Sequence, residues 1–80
     1  MSRREKLIER IIKRPPDADF GDVRLLLEEF GWRLDRRKGS HATFAKEGEY
    51  PITIPVHHGK VGRRYLEQVC DRLDLGGRSF

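Results

Sequence analysis

Apolar residues recur along this chain in distinct rhythms, and each rhythm predicts an element. Leu7, Ile8, Ile11 and Ile12 fall at helical spacing and mark one apolar stripe. Ser2, followed three residues later by Glu5, is a capping box, so this helix starts at Arg3. Pro15-Pro16 ends it, because proline has no N–H to donate and clashes with the preceding turn. Asp17-Ala18-Asp19 reads as a short acidic connector. Asp19 stands where it would cap a second helix, from about Phe20 to Phe30. The buried face of that helix would carry Phe20, Val23, Leu26, Leu27 and Phe30, and Gly31 supplies the left-handed residue after its end.

From Trp32 the period becomes alternating. Trp32 and Leu34 share one face, Arg33 and Asp35 the other. In the next strand Ala42 and Phe44 point one way, while His41, Thr43 and Ala45 point the other. A two-residue turn at Lys38-Gly39 would pair Trp32 with Ala45 and mix the faces. A three-residue loop, Arg37-Lys38-Gly39, instead pairs Trp32 with Phe44, Leu34 with Ala42 and Asp35 with His41. That register is expected, since a slip of one would bury the polar set. The third strand runs through Ile52, Ile54 and Val56, all inward, and Pro55 confines it to an edge or ends it. Pairing Phe44 with Ile54 sets His57 opposite His41. Pairing Phe44 with Ile52 leaves the two one diagonal step apart, and either way they are neighbours within about 5–8 Å. A last helix, from about Gly62 to Leu73, buries Tyr65, Leu66, Val69, Cys70 and Leu73, and its start lacks a strong cap. The expected fold is α+β in the order α-α-β-β-β-α, a three-stranded antiparallel sheet with helices on one face and the other face open.

At 80 residues the chain is expected to form a single domain over 1–75, with an additional N-terminal helix in 1–14, a core in 20–75 and a flexible tail in 76–80. No apolar run reaches the roughly 20 residues that span a bilayer, and no hydrophobic segment follows the basic start. A cytoplasmic chain without a membrane role is expected. Cys70 is the only cysteine, which leaves no internal disulfide or cysteine metal site. The formal charge of +4 is unevenly spread. Residues 1–14 and 32–65 are net basic, 15–31 net acidic. The positive field therefore centres on the strands and the first helix, where it would draw a phosphate polymer.

That field surrounds one chemically suggestive group. His41 opens the second strand beside Arg36, Arg37 and Lys38. Imidazole both takes and gives a proton near neutral pH. A proton carrier beside phosphate-binding charge is what cleavage of an RNA backbone requires. Arg36, Arg37, Lys38, Ser40 and Lys46 are the candidate RNA and phosphate contacts. Asp35, opposite His41 in the expected register, and His57 are its candidate assistants. No metal ligand set and no cofactor are expected: His57-His58 point to opposite faces of a strand and lack a third ligand. Ser40 has no acid–histidine pair to make it a nucleophile. Trp32, Phe44 and Cys70 read as core, Tyr50 as an exposed loop aromatic, and Arg3, Arg4, Lys6 and Arg10 as a solvated helix face.

Three stretches, taken in order, carry a resemblance. Leu25-Leu26-Leu27 precedes Phe30-Gly31-Trp32; Lys38-Gly39-Ser40-His41 follows; Ile54-Pro55-Val56-His57 comes before the last helix. From roughly Val23 to Leu75 the chain resembles HicA-type toxins, the RNA-cleaving partners in HicA–HicB toxin–antitoxin pairs. The resemblance implies a fold like a double-stranded-RNA-binding domain, metal-independent cleavage of mRNA, a HicB-like antitoxin partner, and catalysis by the histidine after Gly-Ser, here His41. Many relatives carry a second histidine next, where this chain has Ala42, and the helix Arg3–Lys13 precedes the shared pattern. The competing function is a non-catalytic RNA-binding module of the same shape, which would bind RNA in a salt-sensitive way without producing new ends.

Overall fold

The computed structural model describes residues 3–12 and 16–74. In chain order its elements are α1 (Arg3–Ile12), β1 (Asp17–Asp19), α2 (Phe20–Glu29), β2 (Arg33–Lys38), β3 (His41–Ala45), β4 (Ile52–Pro55), β5 (Lys60–Gly62) and α3 (Arg63–Arg72). The architecture is α+β: three helices and a three-stranded antiparallel sheet of order β2-β3-β4. The expected helices, strands and element order hold. Ser2, Pro15 and the 76–80 tail lie outside the described residues, and with them the capping box.

Two strands went unread in the sequence. β1 pairs antiparallel with β5, Asp17 opposite Gly62 and Asp19 opposite Lys60, in a separate two-stranded sheet. Asp17–Asp19 is thus a strand and not a free connector. Three residues of Asp-Ala-Asp have little strand propensity of their own, so the distant partner imposes the conformation. Asp19 does occupy the N-cap position of α2, but its side chain makes no capping bond. Its carboxylate instead accepts from Lys60 Nζ at 2.6 Å, while the Phe20 N–H donates to the Gly59 carbonyl at 2.8 Å.

Helix α2 ends as expected. Gly31 has φ +90, and Trp32 N–H reaches back to the Leu27 carbonyl at 3.0 Å while Gly31 N–H bonds that of Glu28. These two bonds are a Schellman closure. Lys46 Nζ adds a bond to the Phe30 carbonyl at 2.9 Å, a cation where the helix dipole favours one.

The register of the β2–β3 hairpin differs from expectation. Lys38 pairs with His41 across the two-residue turn Gly39-Ser40, Arg37 pairs with Ala42 and Arg36 with Thr43. Gly39 has φ +57 while Ser40 does not take a positive φ, the pattern of a type II′ turn with glycine first. A bulge between Leu34 and Arg36 then sets Leu34 opposite Phe44, where Trp32 was expected. The inserted residue, Asp35, resolves the conflict that made a two-residue turn look unfavourable, because a bulge changes the alternation partway along a strand. Leu34 stays inward, and Asp35 is not opposite His41.

β4 is an edge strand ending at Pro55, and it pairs Phe44 with Ile52, Ala42 with Ile54, Thr43 with Thr53 and His41 with Pro55. Of the two registers weighed, this is the diagonal one. The inward side chains Ala42, Phe44, Ile52 and Ile54 are fully buried, joined by Leu7 and Ile11 of α1, Val23, Leu26 and Leu27 of α2, Val61 of β5 and Leu66, Val69 and Cys70 of α3. Each large apolar side chain so buried contributes about 1.5–3 kcal/mol. α2 packs on β2, α3 on β4, and α1 rests on both helices. One face of the three-stranded sheet is therefore covered and the other is left to solvent. No helix among the described residues is long and apolar enough to cross a membrane.

Candidate functional site

The exposed face is built from alternate residues of three strands. Cross-strand partners share a face, so Lys38, His41 and Pro55 form one row across it, and Arg36, Thr43 and Thr53 form the next. His41 is exposed, while Ala42 and Phe44 on the opposite side of the same strand are fully buried. The Gly39-Ser40 turn precedes it directly. Val56 N–H donates to the Ser40 carbonyl at 2.6 Å, which carries the β3–β4 register one residue further and pins the turn. By alternation His57, next after the buried Val56, falls on the open side with His41. His57 itself is exposed and bridges to Lys60 by reciprocal backbone bonds of 2.9 and 2.8 Å. Between them, His58 and Gly59 take φ +53 and +76, the two left-handed positions of a type I′ turn.

The bulge sorts the basic triplet. Arg36 and Lys38 lie on the open face with His41. Arg37 shares the inward side with its partner Ala42, and its guanidinium sits over the Phe20 ring, 4.9 Å from the centroid. Phe20 in turn lies against Phe44, with ring centroids 6.1 Å apart. Arg37 thus serves packing as a cation on an aromatic face, and the geometry does not bring it to His41. Lys46 is likewise absent from that end, since it follows the far end of β3 and bonds the end of α2. Asp35 lies nearest Arg33, with Oδ1 3.9 Å from its guanidinium, so the carboxylate expected to orient His41 is turned elsewhere. Lys38 stands across from His41, Ser40 precedes it in the turn, and Arg36 lies in the next row of the same face.

Sequence reasoning passed over the Thr43–Thr53 pair, whose hydroxyl oxygens are 3.1 Å apart on the open face. Parity alone would have found it once Phe44 was set against Ile52. It also passed over Gly-Ser as a hairpin turn in its own right, which would have placed Lys38 against His41. Among the described residues no three His, Cys, Asp or Glu side chains gather as a metal site.

A charge pair closes the His58-Gly59 turn, with Lys60 Nζ 2.6 Å from Asp19 Oδ1. The hydrogen bond from Lys60, and then its positive charge, hold the Asp19 carboxyl below the usual carboxylate range. Asp19 in the same way pushes the Lys60 ammonium up.

Chemically, the open face offers an exposed imidazole, the cations Arg33, Arg36 and Lys38, and the hydroxyls of Thr43 and Thr53. Such a surface suits an anionic polymer lying across it. A family model described as the HicA toxin of bacterial toxin–antitoxin systems matches residues 21–75. Comparison with curated proteins and with solved structures gives no match. The matched span holds the whole β2–β3–β4 sheet, His41 and its surroundings, while α1 and β1 precede it. The α+β arrangement agrees with the double-stranded-RNA-binding-domain-like fold that the resemblance implied. On this match over more than half of its length, the chain belongs to the HicA toxin family and so to systems that pair a toxin with an antitoxin.

Proposed function

We propose that this chain is an endoribonuclease toxin, an mRNA interferase, in which His41 moves a proton during cleavage of the RNA backbone. The observation that carries the reading is an exposed imidazole, in the family-matched segment, standing across from Lys38 on the open sheet face. A base takes the proton of a ribose 2′-hydroxyl as its oxygen bonds to the adjacent phosphorus. The bond from phosphorus to the 5′-oxygen breaks, and an acid returns a proton to that oxygen. The products are a 2′,3′-cyclic phosphate and a 5′-hydroxyl. His41 carries one of these transfers and His57, exposed on the same side, carries the other. Lys38, with the Ser40 hydroxyl, stabilises the charge that gathers on the phosphate. Every step runs on the side chains of the chain itself, so no metal is required. Residues 1–75 act as one domain in the cytoplasm, and a HicB-like antitoxin silences it by covering the open positive face.

The test is incubation of the purified protein with RNA in EDTA. The wild type is expected to cut and His41→Ala to cut about 10²–10⁴-fold more slowly, with an unchanged circular dichroism spectrum. Undiminished cutting by His41→Ala, or loss of wild-type cutting in EDTA, overturns the mechanism. RNA that is retained by the wild type but never cut would identify the non-catalytic RNA-binding module instead.

A further inference from the structure

We infer that the second row of the open face, Arg36, Thr43 and Thr53, is a separate subsite for the RNA phosphate next to the one that is cut. The inference rests on the reading of the His41 face as an RNA site and adds to it the length of chain engaged. The three residues are successive cross-strand partners, so their side chains line up across all three strands. They lie two residues along from Lys38 and His41, a step of about 6.6–6.8 Å on a strand. Neighbouring phosphates of an RNA strand are separated by a step of that order.

The chemistry of the row fits an anion that is held and not transformed. It contains no imidazole, in contrast to the His41 row. Thr43 Oγ1 and Thr53 Oγ1 are 3.1 Å apart, and a hydroxyl pair places only one proton between its oxygens. The second proton is free to donate outward to an oxyanion. Arg36 brings a planar fork able to grip two phosphate oxygens at once. It has no carboxylate partner among the described residues, because the neighbouring Asp35 is turned toward Arg33. The bulge at Asp35 allows this: Arg36 and Lys38 both face outward while Leu34 stays over the core.

Uridine oligomers test the assignment. UpU holds only the scissile phosphate. UpUpU with one ribose 2′-O-methylated is cut at a single linkage, and its extra phosphate lies on one side or the other according to which ribose is blocked. One of the two trinucleotides is expected to show a KM about ten-fold below that of UpU, the gain from one further charge-assisted contact. Arg36→Gln, and the double variant Thr43→Val/Thr53→Val, are expected to lose that advantage, so that the trinucleotide KM rises to the UpU value. Equal KM for all substrates in the wild type overturns the subsite. So do variants that lose UpU and UpUpU by the same factor. If the wild type cuts neither, anisotropy with fully 2′-O-methylated, dye-labelled forms gives the same comparison. A two-phosphate preference that depends on Arg36 then supports the subsite although the His41 chemistry has failed, and its absence rejects it.

Discussion

Two tight turns lie side by side at one end of the molecule, and each handles a histidine differently. In the Gly39-Ser40 turn, glycine takes the left-handed φ of +57, so His41 enters β3 as an ordinary strand residue locked by pairing on both sides. In the turn after β4, His58 itself takes φ +53, with Gly59 following at +76. A left-handed conformation costs a residue with a Cβ about 1–2 kcal/mol, a burden histidine tolerates better than most residues. His41 is therefore held in place by a ladder, whereas His58 occupies a position that other residues would fill more comfortably. The lesson is that proximity of histidines is a poor guide to role; what matters is which backbone constraint aims each ring.

The largest effect that sharpens this contrast concerns rate. His41→Ala is expected to slow cleavage by about 10²–10⁴-fold and His57→Ala by about 10²-fold. His58→Ala should leave the rate in place, and equal losses at His41 and His58 would erase the distinction between the turns. Next comes Gly39→Val. A Cβ at Gly39 meets nothing within 4 Å, so its cost is the left-handed backbone alone, about 1–2 kcal/mol, readable from the urea midpoint. A smaller gain is expected at the second turn. His58→Asn creates the Asn-Gly pair that type I′ turns prefer and should raise stability by about 0.5 kcal/mol.

The smallest effect is a pH dependence. Lys60, which closes the second turn, is tied to Asp19 at 2.6 Å, and the Gly39-Ser40 turn has no such clamp among the described residues. The Asp19 carboxyl is depressed in the folded chain, so the unfolded chain binds protons more readily in acid. The contribution of the pair is complete above the unfolded carboxyl value of about 3.9 and fades as pH falls through the lower folded value. Lys60 is raised, so its side of the linkage is complete below about 10.4 and fades as pH rises through the folded value. Both groups are exposed, which keeps the effect small. The Tm of Asp19→Asn should vary less with pH than that of the wild type below pH 4, and identical curves would show that the pair does not clamp the turn.

Much of this arrangement was legible in the residues. The helical stripe of Leu7 and Ile11, that of Val23, Leu26 and Leu27, and that of Leu66, Val69 and Cys70 all lead into the core. Alternation alone puts Ala42 and Phe44 inside and His41 outside. What escaped was what local pattern cannot carry. β1 and β5 are three residues each and exist through a partner some 40 positions away in the chain. The hairpin register was misread because strict alternation leaves no room for a bulge, and Asp35 is a residue that alternation counts but the ladder does not pair. The Gly39-Ser40 turn sets Lys38, not Asp35, opposite His41 and puts Arg37 on the inward side, and the extra residue then returns Leu34 to that side. The bonds of Lys46 and Asp19 escaped for a related reason: each side chain is tied to a group far off in sequence, to Phe30 and Lys60 respectively.

The bond from Lys46 to the end of α2 has a practical corollary. At that same pole Arg72 reaches across to the Tyr50 carbonyl and lies 5.2 Å from the Trp32 ring centroid, stitching loop, helix and strand together at the margin remote from the imidazole. These contacts fasten the pole remote from His41. Tyr50 projects from the fastened pole almost fully into solvent, 86% exposed. It is the natural point at which to attach a label or tether, leaving the face proposed to meet RNA undisturbed.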